Sequence, residues 1–404
     1  MATTQSSRIS QLAATISESV ARLQEVLSTR GLQSPSFDEY AQFSLPQEAW
    51  DVQDAILDAT AELHDLLLDP LVLIREHGGH NNSTCLQAIA RFGIASMIPT
   101  AGRMSFANIA KQTGSSEDMI RRLLRHAMTM RVFREPEPGM VSHTAASRIF
   151  SDPLMNDWLR IGTEELWPAA VKGFSLANNT TESIYDVLGS DPERAIRFAN
   201  SMTVFAKSPN FDPIHIIDNF DWAALGPAKV VDVGGGQGHV AIELASTFKN
   251  LEFIVQDMDK MIENAGTGLP EQLKNRVRFV AHDLFAPQTV QADVFFFRWV
   301  LHNWSDKYCI RILRAQVPVL KPNARIIIQD GCLPEPGAVA HWKEKYLRSD
   351  DLSMVSLFNA RERTADEWKL LLVNADPRFV MKGVTQPKGS ALAIIEVIWD
   401  GGSS

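Results

Sequence analysis

The 404-residue chain is short of cysteine, with only Cys85, Cys309 and Cys332, all far apart. They provide no disulfide framework and no metal-ligand spacing, so a reducing compartment and no metal site are expected. An excess of positive charge is also missing. Lys and Arg number 39 against 48 Asp and Glu, a formal net charge of −9. That balance argues against a general binder of nucleic acid or anionic membrane, whose affinity would lean on a basic surface. No apolar run is long enough to cross a bilayer. The opening Met-Ala-Thr-Thr-Gln-Ser-Ser is polar and lacks the apolar core of a secretory signal. A cytoplasmic protein with no membrane partner is therefore expected. Sequons at Asn81, Asn82, Asn178, Asn179 and Asn303 are then chance matches. Internal repeats and low-complexity segments are absent. A hydrophobic content of 45% is ordinary for a globular chain, and this length can hold two domains.

The most informative stretch is Val230-Val231-Asp232-Val233-Gly234-Gly235-Gly236-Gln237-Gly238. An apolar run meets an acid, then a glycine cluster, then a helix-like segment. The order predicts a strand, a tight turn and a helix. Glycine suits a place where backbone turns sharply and a ligand approaches without a Cβ in the way. The spacing of Gly234, Gly236 and Gly238 lacks the Gly-x-Gly-x-x-Gly of a dinucleotide site, since position 239 is His. It also lacks the Gly-Lys-Ser/Thr of a phosphate loop. A nucleoside ligand without phosphate fits better, its cationic end near Asp232.

Ahead of this stretch the chain reads as helical. Ile9, Leu12, Ile16, Val20, Leu23 and Leu27 recur at steps of three and four, one apolar face of a helix ending near Gly31. Residues 1–47 are read as a helical arm and linker. A second amphipathic helix should run from about Gln47 to Leu68, stopped by Pro70. Residues 48–152 suggest a winged helix. It has helices at Leu86–Ser96 and Ser105–Thr113, and a third helix opened by a capping box at Ser115-x-x-Asp118. A wing follows at Val132–Ser142. Arg121, Arg122 and Arg125 would suit DNA, but the acidic chain favours a dimerisation scaffold. Residues 153–225, mainly helical and aromatic, are read as a connector lining a ligand pocket.

Residues 226–404 alternate strands and helices. Strands are expected at Lys229–Val233, Glu252–Gln256, Arg276–Ala281, Ala292–Arg298, Arg325–Gln329 and Ala391–Trp399. Helices are expected at 238–249, 305–320 and 365–374. Such alternation means a doubly wound α/β sheet, with its ligand at the carboxyl ends of the strands. Four consecutive strand ends carry polar residues. After Asp232 and the glycines comes Asp257, about twenty residues on, placed to accept ribose hydroxyls. Then come Asp283 and Leu284, suited to an adenine edge and face. Last is Arg298-Trp299-Val300-Leu301-His302-Asn303-Trp304. His302 follows a very apolar strand, and an imidazole accepts a proton near neutral pH. Asp330 or Glu362 would hold its ring in one tautomer.

With these residues in hand, the C-terminal half resembles a class I S-adenosylmethionine-dependent methyltransferase. The whole chain from about residue 80 resembles small-molecule O-methyltransferases of the plant caffeic-acid type and their fungal secondary-metabolite relatives. The motifs are the glycine turn, Arg298 to Asp306, and Arg361-Glu362-Arg363-Thr364. The resemblance implies a Rossmann-like methyltransferase sheet after a winged-helix dimerisation domain. It implies S-adenosylmethionine held by Gly234, Gly236, Gly238, Asp257, Asp283, Leu284 and Arg298. It makes His302 the general base, flanked by Asp330 and Glu362, and puts Met202, Phe205, Met354 and Phe358 on the acceptor pocket. Asp330 stands where many members have Glu, and Asn303 replaces a common Asp. The implied partners are a small hydroxylated acceptor and a second copy of the chain, joined through the N-terminal region. A rival expectation keeps the cofactor on this fold as a fixed positive charge for pericyclic cyclisation or dehydration.

Overall fold

A computed structural model describes residues 7–401, apart from residues 78 and 264. The chain divides into two compact units. One contains the chain up to Val171 with Ala177–Val204 and Pro336–Tyr346. The other contains Lys172–Leu176, Phe205–Glu335 and the chain from Leu347.

In the first unit, Ser7 caps a helix spanning Arg8–Thr29, its side chain accepting the Ser10 N–H at 3.3 Å. This helix packs on a second, Trp50–Leu66. Pro70 does end that pattern, but it also opens a new helix, Pro70–His77, because proline at a first helical position lacks only an N–H that would be unpaired anyway. The winged-helix plan is present. Helices lie at His80–Arg91, Phe106–Thr113 and Glu117–Thr129, and short strands at Met104–Ser105, Arg134–Glu137 and Met140–Ser142 form one sheet. Two local expectations fail. Gly93, at φ +63°, breaks the expected Leu86–Ser96 helix after Arg91. The third helix is capped by Ser116, which accepts the Met119 N–H at 3.2 Å, while the Ser115 N–H is used to close the preceding helix on Ala110. Arg121 pairs with Glu117, Arg122 lies 4.0 Å from Asp118, and Arg125 bonds Glu135 at 2.8 Å. The arginines that would suit DNA are thus already matched with acids. The 153–225 stretch is helical as expected, includes a π-helical run at Ile161–Leu166, and is divided between the two units.

The second unit is built on a seven-stranded sheet. Its strands in chain order are β1 Ala228–Val233, β2 Leu251–Asp257, β3 Val277–Ala281, β4 Val294–Arg298, β5 Arg325–Asp330, β6 Phe379–Thr385 and β7 Ala393–Trp399. Their spatial order is β6-β7-β5-β4-β1-β2-β3. The first five run parallel, and β7 pairs antiparallel with both β5 and β6. All six expected strands are present. β6 was not expected, because its Lys382 and Gly383 break the apolar alternation. A register shift between Met381 and Gly383 marks it as an irregular edge strand. The expected helices appear at His239–Thr247, Asp306–Gln316 and Ala365–Ala375.

Neighbouring residues on each central strand feed opposite cores. Val231, Phe295, Phe297, Ile326 and Ile328 join Leu313, Trp368 and Leu371 on one face. Val230, Phe296 and Ile327 join Val240, Leu244 and Trp222 on the other. A parallel sheet covered on both faces needs such unbroken apolar runs. Each large side chain so buried contributes about 1.5–3 kcal/mol. The sheet is therefore a rigid base, and its β1, β2, β4 and β5 ends carry Val233, Asp257, Arg298 and Asp330.

Candidate active site

The turn after β1 requires its glycines. Gly234, Gly236 and Gly238 sit at φ +75°, +55° and +73°, a region most side chains avoid. A Cβ on Gly238 would come 2.7 Å from Phe279, whereas one on Gly236 would meet open space. A Cβ on Gly235 would strike the Asp232 carboxylate lying beneath the turn. The turn is tied to β2. The Gly234 N–H donates to the Gln256 carbonyl at 2.8 Å, and the Gly236 N–H to Asp257 Oδ2 at 2.8 Å. Buried side chains extend this support, with Gln288 Nε2 donating to Gln256 Oε1 at 2.7 Å and to Gln316 Oε1 at 3.2 Å.

Asp232 is 3% exposed, and its carboxylate makes no hydrogen bond or ion pair with any described residue. Burial pushes its pKa up to about 7. Such an orphaned carboxylate favours a cation beside it. Asp257 and Asp283 follow at the ends of β2 and β3. Asp283 is exposed, with Leu284 half-buried beside it, and the buried Nε2 of neighbouring His282 has no partner. A loop open at Gly236, an unpaired buried acid and two further acids along one sheet edge suit a cationic nucleoside.

Arg298 occupies a different position from the other expected cofactor residues. The residue is 9% exposed, and its guanidinium donates to Gln329 Oε1 at 2.7 Å and to the Phe211 carbonyl. Burial lowers its pKa to about 10, opposed by the charges of Asp232, Asp330, Asp212 and Glu243. It is a buried cation among acids, with both Nη1 and Nη2 engaged.

His302 lies in a short 3-10 turn, Leu301–Asn303, just past β4. The preceding Trp299 holds φ +56°, a strained value for a bulky residue. The ring Nδ1 is 2.8 Å from Glu362 Oε1. Asp330 does not touch the ring. Its Oδ2 accepts the backbone N–H groups of Leu301 and His302 at 3.1 and 3.3 Å. Of the two acids expected to orient the imidazole, Glu362 is the one that does so. Burial opposes the charged imidazole, but the charges of Asp330 and Glu362 and the Glu362 hydrogen bond outweigh it, raising the His302 pKa. Burial pushes Asp330 up to about 6.

Three further side chains bond into this corner. Arg363, 1% exposed, donates to Asp306 Oδ1 at 2.7 and 3.0 Å and to the Leu301 and Trp304 carbonyls. Asp351 Oδ1 accepts the Glu362 N–H at 2.8 Å. Asp351 was missed because the helix that carries it, His341–Phe358, has too weak an apolar stripe to be read. Cys309 Sγ donates to the Leu301 carbonyl at 3.1 Å. Burial pushes its pKa up to about 12, and that of Cys332 to about 11.

The expected acceptor residues do not all fall together. Met354 and Phe358 lie four apart on the His341–Phe358 helix, both half-buried. Phe205 meets Phe211 edge-on at 6.0 Å, and Phe211 meets Trp299 at 4.6 Å, an aromatic row leading to the His302 turn. Met202, 38% exposed, belongs to the first unit, whereas the other three belong to the second.

A glycine turn after the first strand of a 3-2-1-4-5-7-6 sheet, beside a histidine–carboxylate pair, defines a methyltransferase of the Rossmann-like class. Comparison with known proteins makes this specific. An O-methyltransferase domain matches residues 154–376, and an O-methyltransferase dimerisation domain matches residues 76–152. "O-methyltransferase PaMT" of Phomopsis amygdali is 41% identical, over 98% of this chain and 97% of its own. "Chlorophenol O-methyltransferase" of Trichoderma longibrachiatum is 36% identical, over 98% of this chain and 91% of its own. A solved structure titled "A Pericyclic Reaction enzyme" shares the fold at TM-score 0.72 and 21% identity, covering 96% of this chain and 100% of that one. The chain belongs to the S-adenosylmethionine-dependent O-methyltransferases. Among the described residues, no helix is long and apolar enough to cross a membrane.

Proposed function

We propose that the chain methylates a phenol or enol hydroxyl of a small secondary metabolite, with His302 as general base. The observation that carries this reading is the 2.8 Å contact between His302 Nδ1 and Glu362 Oε1. That contact fixes the proton on Nδ1 and leaves Nε2 as a free base. Gly234, Gly236 and Gly238 would frame the cofactor, Asp257 the ribose, and Asp283 with Leu284 the adenine, while Arg298 sets the charge behind them. When bound, S-adenosylmethionine supplies an electrophilic sulfonium methyl. His302 Nε2 takes the acceptor hydroxyl proton as the oxygen attacks, and Glu362 stabilises the imidazolium that forms. The rigid β4 and β5 ends hold the base in place, and positioning of this kind supplies much of the rate. Phe205, Met354 and Phe358 are assigned to the acceptor pocket. The dimerisation-domain match supports a homodimer through the N-terminal region, and we place the enzyme in the cytoplasm.

His302→Ala is expected to lower kcat by about 10²–10⁴-fold while binding of S-adenosylhomocysteine, measured by calorimetry, is retained. Normal turnover in that variant would remove His302 from the role. Pericyclic cyclisation has only a likeness of fold behind it, whereas the relatives at 36% and 41% identity are named O-methyltransferases.

A further inference from the structure

The corner around His302 is rich in hydrogen-bond acceptors and poor in donors. Asp330 Oδ1 and Glu362 Oε2 are buried without a partner, in residues 0% and 8% exposed. A third acid, Asp350, faces the same pair. It is half-buried, and its carboxylate makes no hydrogen bond or ion pair with any described residue. Burial pushes its pKa up to about 6, helped by the charge of Glu362 and opposed by that of His302.

Its position on the helix gives this acid a direction. Asp350, Met354 and Phe358 are spaced by four on the His341–Phe358 helix, so they share one stripe. The next residue, Asp351, ties the helix to the Glu362 backbone at 2.8 Å. Asp350 thus heads the stripe assigned to the acceptor, one residue from the tie to Glu362. A half-buried carboxylate with no partner is costly unless a ligand donates to it. A ligand carboxylate would be repelled by the acids already there.

We infer that Asp350 selects the acceptor by accepting a hydrogen bond from a second hydroxyl or N–H beside the oxygen that is methylated, so that uncharged diols are favoured over monophenols and acids. This rests on the methyl-transfer reading above.

The test uses the full-length enzyme with three probes: catechol, phenol and 3,4-dihydroxybenzoate. The wild type is expected to prefer catechol to phenol in kcat/KM by about ten- to a hundredfold, the range of a hydrogen bond to a charged group. Asp350→Leu should bring that ratio towards one. Asp350→Asn, which keeps an acceptor oxygen without the charge, should give an intermediate ratio, and it carries the test if the Leu variant does not fold. The benzoate should be the poorest of the three diol and phenol probes in the wild type and gain relative to catechol in Asp350→Leu. An unchanged catechol-to-phenol ratio in both variants, or a wild-type preference for the benzoate, overturns the inference. If the wild type methylates none of the three, calorimetric affinities for the same probes on the S-adenosylhomocysteine-loaded protein read the selection separately from the chemistry.

Discussion

Asp330 Oδ2 accepts the backbone N–H groups of Leu301 and His302 at 3.1 and 3.3 Å, so a side chain at the end of β5 holds the main chain at the end of β4. The two strands are neighbours in the sheet, with Arg298 opposite Gln329. His302 is therefore positioned twice, its backbone by Asp330 and its ring by Glu362. Each support has its own consequence.

Glu362→Gln removes the charge that favours the imidazolium but keeps an oxygen to accept from Nδ1–H. A loss of about ten- to a hundredfold in kcat is expected, the scale of a hydrogen bond to a charged group. Steady-state kinetics at saturating cofactor checks it. A variant as fast as the wild type would mean that the Glu362 charge does not act on the reaction.

A base must be neutral to work. The His302 pKa is raised, so wild-type kcat/KM should climb with pH through a value above the ordinary histidine value of about 6.5. In Glu362→Gln that limb should move to lower pH. Stability runs the other way. Protonated His302 contributes fully below its unfolded value of about 6.5, and the contribution fades as pH rises through the higher folded value. The gap in melting temperature between wild type and His302→Ala should therefore narrow from about pH 6 to about pH 9. A gap that widens would reverse the assigned direction.

Much of this corner was legible in the chain itself. The glycine turn, Asp257, His302 and the Arg361 to Thr364 motif stand at strand or helix ends that apolar patterning locates within a residue or two. What escaped was what depends on tertiary packing. Nothing local distinguishes Asp330 bonding a backbone from Asp330 bonding a ring. Asp350 and Asp351 lie on a helix whose polar and apolar residues alternate too loosely to mark a face, and β6 is an exposed edge strand with a bulge. Pro70 read as a stop because the same residue can end one helix and begin the next.

Two glycines of the turn should fail in different ways. Gly238→Ala combines φ +73° with a 2.7 Å approach to Phe279, so a stability loss of about 2–4 kcal/mol is expected by denaturant unfolding. Gly236→Ala adds a Cβ into open space, so only about 1–2 kcal/mol of backbone cost is expected. Its larger effect should be weaker S-adenosylhomocysteine binding, if the open side is the one proposed above for the cofactor. Equal stability losses with equal affinities would contradict the division.

Arg363→Met leaves Asp306 without its cation and the Leu301 and Trp304 carbonyls short of a donor. Asp306 is 55% exposed and can rehydrate, so the cost falls mainly on the two carbonyls and should be about 1–3 kcal/mol. Urea unfolding measures it, and a cost below about 1 kcal/mol would show the pair to be dispensable.

The thiols near the site have a further consequence. Cys309, donating its S–H to a carbonyl of the His302 turn, and Cys332, just past β5, are held as thiols by burial at pKa values of about 12 and 11. The thiolate is the form that attacks carbon electrophiles. Held as thiols near neutral pH, the two soft nucleophiles beside the His302 turn are poor partners for a sulfonium methyl.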